Sequence, residues 1–167
     1  MEVREDVSGL MHEALKKCGL SFFMSVPCKH LAKLISRLER DQEVKHLPVT
    51  REEEGIGIAA GAFLTGKMGV LLMQNSGLGN AVNALASLMA YYKIPMILVV
   101  SHRGLPGETI GAQVPMGKIT ERLLRTLDIP FFRYESLEDL AHMKDHISHA
   151  QAEEKPVCLL ISPKFWG

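Results

Sequence analysis

The sequence predicts an α/β fold, three layers in the order αβα around a mostly parallel sheet, from two observations. Helix-period and strand-like segments alternate along all 167 residues, and each parallel crossover needs a helix to make it. The run "IPMILVV" (residues 94–100) is rich in β-branched side chains and reads as a buried strand.

In chain order, "DVSGLMHEALKKCG" (residues 6–19) places Val7, Leu10, Met11, Ala14, Leu15 and Cys18 on one helical stripe and ends at Gly19, a C-terminal cap. "LSFFMSV" (20–26) reads as a strand stopped by Pro27, "KHLAKLISRLERD" (29–41) as an amphipathic helix and "VKHLPVT" (44–50) as a short extended segment. "REEEGIGIAAGAFLTGK" (51–67) is predicted to be a helix ending near Gly66, followed by the strand "MGVLLMQ" (68–74) and the helix "LGNAVNALASLMAYY" (78–92). After the 94–100 strand comes a Gly/Pro-rich loop, "SHRGLPGETIGAQVPMG" (101–117). The helix "KITERLLRTLD" (118–128), the strand "PFFRYE" (130–135), the helix "SLEDLAHMKDHISHAQAEE" (136–154) and the strand "PVCLLIS" (156–162) complete the chain. Parallel sheets bind ligands beyond the carboxyl ends of their strands. Three stretches meet that description: residues 27–30, 74–80 and 101–117.

A composition of 47% hydrophobic and 23% charged residues is that of a globular protein, expected here as one domain over residues 1–167. With no net charge and a pI near 7.1, nothing points to a nucleic-acid partner. No apolar run is long enough to span a bilayer and the first ten residues lack the apolar stretch of a signal peptide, so a cytoplasmic protein is expected. Cys18, Cys28 and Cys158 are odd in number and lack metal-ligand spacing, and the histidines form no HExxH pattern; no protein-ligated metal is expected.

Three acids open the 51–67 helix. Thr50 and Glu53 have the spacing of a capping box, which gives Glu53 a structural use. At about 100° per residue the apolar stripe holds Ile56, Ala59 and Phe63, with Glu52 near its centre and Glu54 turned to water. All three acids also suit the positive end of the helix dipole. A carboxylate on a buried stripe, however, needs a partner. Gly55, Gly57, Ala59, Ala60 and Gly61 keep this helix slim, which suits either tight helix packing or the approach of a flat ligand ring.

In "MQNSGLGN" (73–80) the glycines suit a tight turn with Ser76 as helix cap, while Gln74, Asn75 and Asn80 set amides beside free helix N–H donors able to orient a ligand. The stretch "GLGNAV" departs from the dinucleotide fingerprint, with Val82 at its third small position and no acid after the next strand; a P-loop is absent too.

Taken together, "REEEGIGIAAGAFLTGK", "LLMQNSGLGNAVNALASL", "KIPMILVVSHRG" and "GAQVPMGKIT" resemble the pyrimidine-binding domain of thiamine diphosphate-dependent decarboxylases, over nearly the whole chain. The resemblance implies the pyrimidine-binding fold and a glutamate that hydrogen-bonds N1′ of the cofactor's aminopyrimidine, so that the cofactor can attack a 2-keto acid and release carbon dioxide. Spacing ahead of "AAG" maps that glutamate to Glu52, the residue that helical phase singles out independently. Pro27, Gln74, Asn75, Ser76, Gly77 and Asn80 are then expected near the cofactor. The implied substrate is a 2-keto acid with a second anion, sulfopyruvate or phosphonopyruvate, the former serving coenzyme M biosynthesis. Cys28, Lys29, His30, His102, Arg103 and Gln113 are its candidate contacts, each with the plain alternative of an ordinary surface or core residue.

Enzymes of this family bind the diphosphate through Mg²⁺ in a second domain marked by GDG and a pair of asparagines, and neither occurs in this sequence. A separate beta subunit is therefore expected to carry that half and ligate Mg²⁺, in a larger hetero-oligomer. Met73, Met89, Met96 and Met116 are expected either at that interface or in the core. A non-catalytic binding or regulatory module is the rival reading, against which Glu52 and "QNSGLGN" stand.

Overall fold

Along each strand, successive side chains face opposite helical layers, and this alternation builds two cores, one on either face of the sheet. The computed structural model describes residues 6–166. Its strands are Phe22–Ser25 (β1), Lys45–Pro48 (β2), Gly69–Gln74 (β3), Met96–Ser101 (β4), Phe131–Tyr134 (β5) and Pro156–Ile161 (β6), and its α-helices are Val7–Lys17 (α1), Ala32–Arg40 (α2), Glu52–Leu64 (α3), Ser76–Ala84 (α4), Val114–Thr126 (α5) and Met143–Ala152 (α6). The sheet runs β2-β1-β3-β4-β6-β5, and every neighbouring pair is parallel. The expected three-layer αβα architecture is present, with a sheet that is wholly parallel.

Phe23, Val70, Leu72, Ile97, Val99 and Leu159 pack on one face against Met11, Leu15, Leu34, Leu38 and Ile147 from α1, α2 and α6. Their neighbours Met24, Leu71, Met73, Leu98, Val100 and Leu160 pack on the other against Ile56, Ala59, Leu78, Ala81 and Leu124 from α3, α4 and α5. The chain steps from β1 to β2 through α2, then back past β1 to β3 through α3 on the opposite face. That reversal opens a crevice at the carboxyl ends of β1 and β3, where a doubly wound sheet holds its ligands.

Several local expectations are corrected. Leu10 and Phe63 sit at the margins of their stripes, 40% and 37% exposed. Helix α4 starts at Ser76, two residues before the expected position, and continues as a π-helical turn, Leu85–Ala90. The segment after β4 is shorter than residues 101–117, because a 3₁₀ turn at Gly111–Gln113 leads into α5 and Pro115 fits a first helical turn, where no N–H is needed. Met73, Met89 and Met96 are fully buried core residues, and Met116 is half-buried. Among the described residues no helix is long and apolar enough to cross a membrane.

Candidate active site

Glu52 is the first residue of α3, and helical phase turns it inward beside Ile56 and Ala59. Only 8% of it is exposed. The carboxylate meets the first turn of α4, where Asn80 Nδ2 donates to Oε2 at 3.0 Å. On its other side lies Gly77, where an added Cβ would come within 2.5 Å of Oε1. The glycine is thus required by close approach, since any side chain there would expel the carboxylate. Oε1 accepts no hydrogen bond among the described residues, which leaves Glu52 one unengaged carboxylate oxygen.

The other two acids exchange the expected roles. Glu54, not Glu53, reaches back to the Thr50 N–H, at 2.8 Å, while Glu53 pairs with Arg51 at 2.6 Å. The helix caps at Arg51 rather than Thr50, so no capping box forms. Glu54 is nevertheless exposed, as its phase predicts.

At the end of β3, Gln74 Nε2 donates to Ser76 Oγ at 2.9 Å and to Gln113 Oε1 at 2.8 Å, joining this turn to the segment after β4. Ser76 makes no cap bond; the cap position belongs to Asn75. Asn75 is fully buried, and its amide is committed to the scaffold: Nδ2 donates to the Arg103 carbonyl (2.9 Å) and Thr120 Oγ1 (2.8 Å), while Oδ1 accepts from the Arg103 N–H (3.2 Å). No group of that side chain remains for a ligand.

The fork of Arg103 is likewise engaged. Nε and Nη2 donate to Glu108 at 2.7 and 2.6 Å, and the same carboxylate accepts the Gly104 N–H (3.1 Å) and the Ile110 N–H (3.0 Å). The Arg103 guanidinium, followed by the Ile110 N–H, holds the Glu108 carboxyl down to about 2. Gly104, at φ +79°, lies against the Gln113 carbonyl and Gly117, so the base of this loop closes by backbone contact. His102 is buried, its Nε2 lies 3.5 Å from the Gly117 carbonyl, and burial lowers its pKa. Cys28 belongs to the core, whereas Pro27 and Lys29 are exposed at the end of β1 and His30 is half-buried. A cleft of 480 Å³ at the carboxyl edge of the sheet is lined by Lys29, His30, Arg103, Glu108, Glu135 and Lys164, among others. Glu52, Gln74 and Asn80 do not line it.

Residues 5–121 match the family described as "Thiamine pyrophosphate enzyme, N-terminal TPP binding domain". The chain is 43% identical to the sulfopyruvate decarboxylase subunit alpha of Methanococcus maripaludis, over 96% of this chain and 97% of that one. It is equally similar, at 43%, to the protein of the same name from Methanothermobacter thermautotrophicus, over 98% of this chain and the whole of that one. The chain belongs to the sulfopyruvate decarboxylase alpha-subunit family of thiamine pyrophosphate enzymes. A phosphonopyruvate decarboxylase of Streptomyces viridochromogenes is 39% identical over 74% of this chain, which corresponds to 32% of that protein.

The donor set fits the aminopyrimidine of this family's cofactor: a buried carboxylate with one oxygen held by Asn80 and the other free, beside a glycine that leaves the approach open. Among the described residues there is no cluster of three acids, histidines or cysteines able to hold a metal ion. Three residues escaped the sequence reading. Glu108 shows no periodicity with Arg103, Thr120 lies mid-helix, and Lys164 follows the last strand; only the presence of a possible partner acid five residues after Arg103 offered a signal.

Proposed function

We propose that this chain is the pyrimidine-binding alpha subunit of a thiamine diphosphate-dependent decarboxylase that converts 3-sulfopyruvate to sulfoacetaldehyde and carbon dioxide, in coenzyme M biosynthesis. It acts in a cytoplasmic hetero-oligomer whose beta subunit binds the diphosphate through Mg²⁺. The observation that carries the reading is Glu52, buried and held by Asn80 against Gly77 with Oε1 unbonded. The "subunit alpha" names of its relatives support a partner.

In this reading Glu52 bonds the pyrimidine N1′ and holds the proton shared with it. Bound thiamine diphosphate supplies the electron sink for the pair left when carbon dioxide departs. Asn80 fixes the carboxylate, Gly77 lets it sit close, and Pro27, Gln74 and Ser76 flank the ring. Asn75 serves the site by positioning, since its amide ties the ends of β3 and β4 to α5. Lys29, His30 and Arg103 face the substrate's anions across the cleft they share. Gln113 acts through Gln74, and Cys28 and His102 form the buried floor.

The 39% identical relative makes phosphonopyruvate the second candidate substrate. Co-purification with the beta subunit and assay of carbon dioxide release from each acid distinguishes the two. Release from sulfopyruvate that requires both subunits and thiamine diphosphate is expected; release from neither acid would remove the proposal.

A further inference from the structure

A guanidinium carries five N–H donors in one plane, and Glu108 uses two of those on Arg103. The carboxylate takes the side-on edge, with Nε donating to Oε2 and Nη2 to Oε1. The end-on edge, formed by Nη1 and the second N–H of Nη2, has no acceptor among the described residues, and neither nitrogen is a sealed, unpartnered atom. Arg103 lines the cleft of 480 Å³.

Both ends of Arg103 are fixed. Its N–H and carbonyl are clamped by the buried Asn75 amide. Its head group is held by a carboxylate that is itself anchored to the backbone N–H groups of Gly104 and Ile110. Arg103 and Glu108 side chains are only 10% and 6% exposed, so neither is free to swing into water. The pair is close to neutral as a unit, so the charge of the cleft is set by Lys29 and Lys164, which form no ion pair with a described carboxylate, against the single acid Glu135, and it stays positive.

We infer that Glu108 is a positioning residue, which locks Arg103 side-on so that its end-on edge offers two parallel N–H donors to a sulfonate or phosphonate in the cleft, with Lys29 and Lys164 supplying the countercharge. Two parallel N–H bonds suit an oxyanion with two exposed oxygens and reject a neutral or methyl group at the same place. The inference rests on the reading of this chain as a subunit that acts on an anionic 2-keto acid, and it adds Glu108 and Lys164 to that site.

The test uses the full chain co-purified with its beta subunit. In Glu108→Gln the KM for sulfopyruvate should rise roughly tenfold with kcat nearly unchanged, since a ground-state binding contact is disturbed and not the reacting centre. Sulfoacetate, which has a sulfonate and a carboxylate but no keto group, serves as the calorimetric probe. Its Kd should weaken roughly tenfold in Glu108→Gln and stay unchanged in Glu43→Gln, which alters an exposed acid outside the cleft, paired with Lys16 and making no bond to Arg103. Arg103→Lys keeps the charge without the planar edge and should lose sulfoacetate affinity to a similar degree, which keeps the inference open to refutation if Glu108→Gln fails to fold. Wild-type affinity in a folded Glu108→Gln or Arg103→Lys protein, or no sulfoacetate binding by the unaltered complex, overturns it. An unaltered complex that binds sulfoacetate in the Glu108-dependent way yet releases no carbon dioxide from sulfopyruvate leaves the inference standing and removes the functional reading instead.

Discussion

Glu52 and Gly77 constrain each other. The carboxylate occupies the space a side chain at 77 would take, so the identity of one residue follows from the position of the other. Glu52→Gln keeps the shape and the Asn80 contact but cannot hold a proton for the ring nitrogen. Carbon dioxide release should fall by roughly a thousandfold or more, with an unchanged melting temperature; turnover near that of the wild type would remove the assignment. Gly77→Ala should cut turnover steeply by displacing Glu52, and introducing Glu52→Gln into that variant should cost little more, because the two act as one unit. Additive losses in the double variant would separate them. Helical phase made the position of Glu52 legible, because a carboxylate at the centre of an apolar stripe is an anomaly that one sequence reveals, while the chemistry expected of it came from the family resemblance. The roles of Glu53 and Glu54 were not legible, since Arg51 and the Thr50 N–H lie close enough to both acids that only side-chain geometry decides between them.

The segment between β4 and α5 behaves as one device, closed at its base by the backbone contact of Gly104 with Gly117 and cinched across by Arg103 and Glu108. Asn75→Ala would strip buried partners from Arg103 and Thr120 and should destabilise the protein by about 2–3 kcal/mol; a denaturant midpoint that stays in place would show that water replaces the amide. The depressed Glu108 carboxyl also predicts an acid response. Its ion pair contributes fully above the ordinary value of 4.5 and fades as pH falls toward about 2, because the unfolded chain takes up the proton first. The stability difference between wild type and Glu108→Gln should therefore be flat at neutral pH and shrink through that window, and a difference independent of pH would contradict it. The sequence showed that this segment was a loop at a strand end. Its closure was hidden, because Asn75, Thr120 and Gly117 meet Arg103 and Gly104 only after the sheet has brought distant turns together.

For the whole molecule, alternation of helix and strand was sufficient to read the layers, since the long apolar runs of β4 and β6 have no surface use. Strand order was beyond it, as nothing in the pattern says that β6 inserts between β4 and β5. The order has a measurable effect: β1, β3, β4 and β6 are paired on both sides and should exchange their amide hydrogens most slowly, with β2 and β5 opening first. Uniform protection across all six strands would contradict that ranking. The two outermost strands are also guarded. β2 is four residues long, begins with the exposed Lys45 and ends in Pro48, which lacks an N–H, while β5, of equal length, displays Arg133 tied to Glu121. Both rims thus repel an incoming strand. Growth of the sheet from one molecule into the next, the route to fibrils and precipitates, is closed at either border, and any companion protein must settle on side chains instead of extending the ladder.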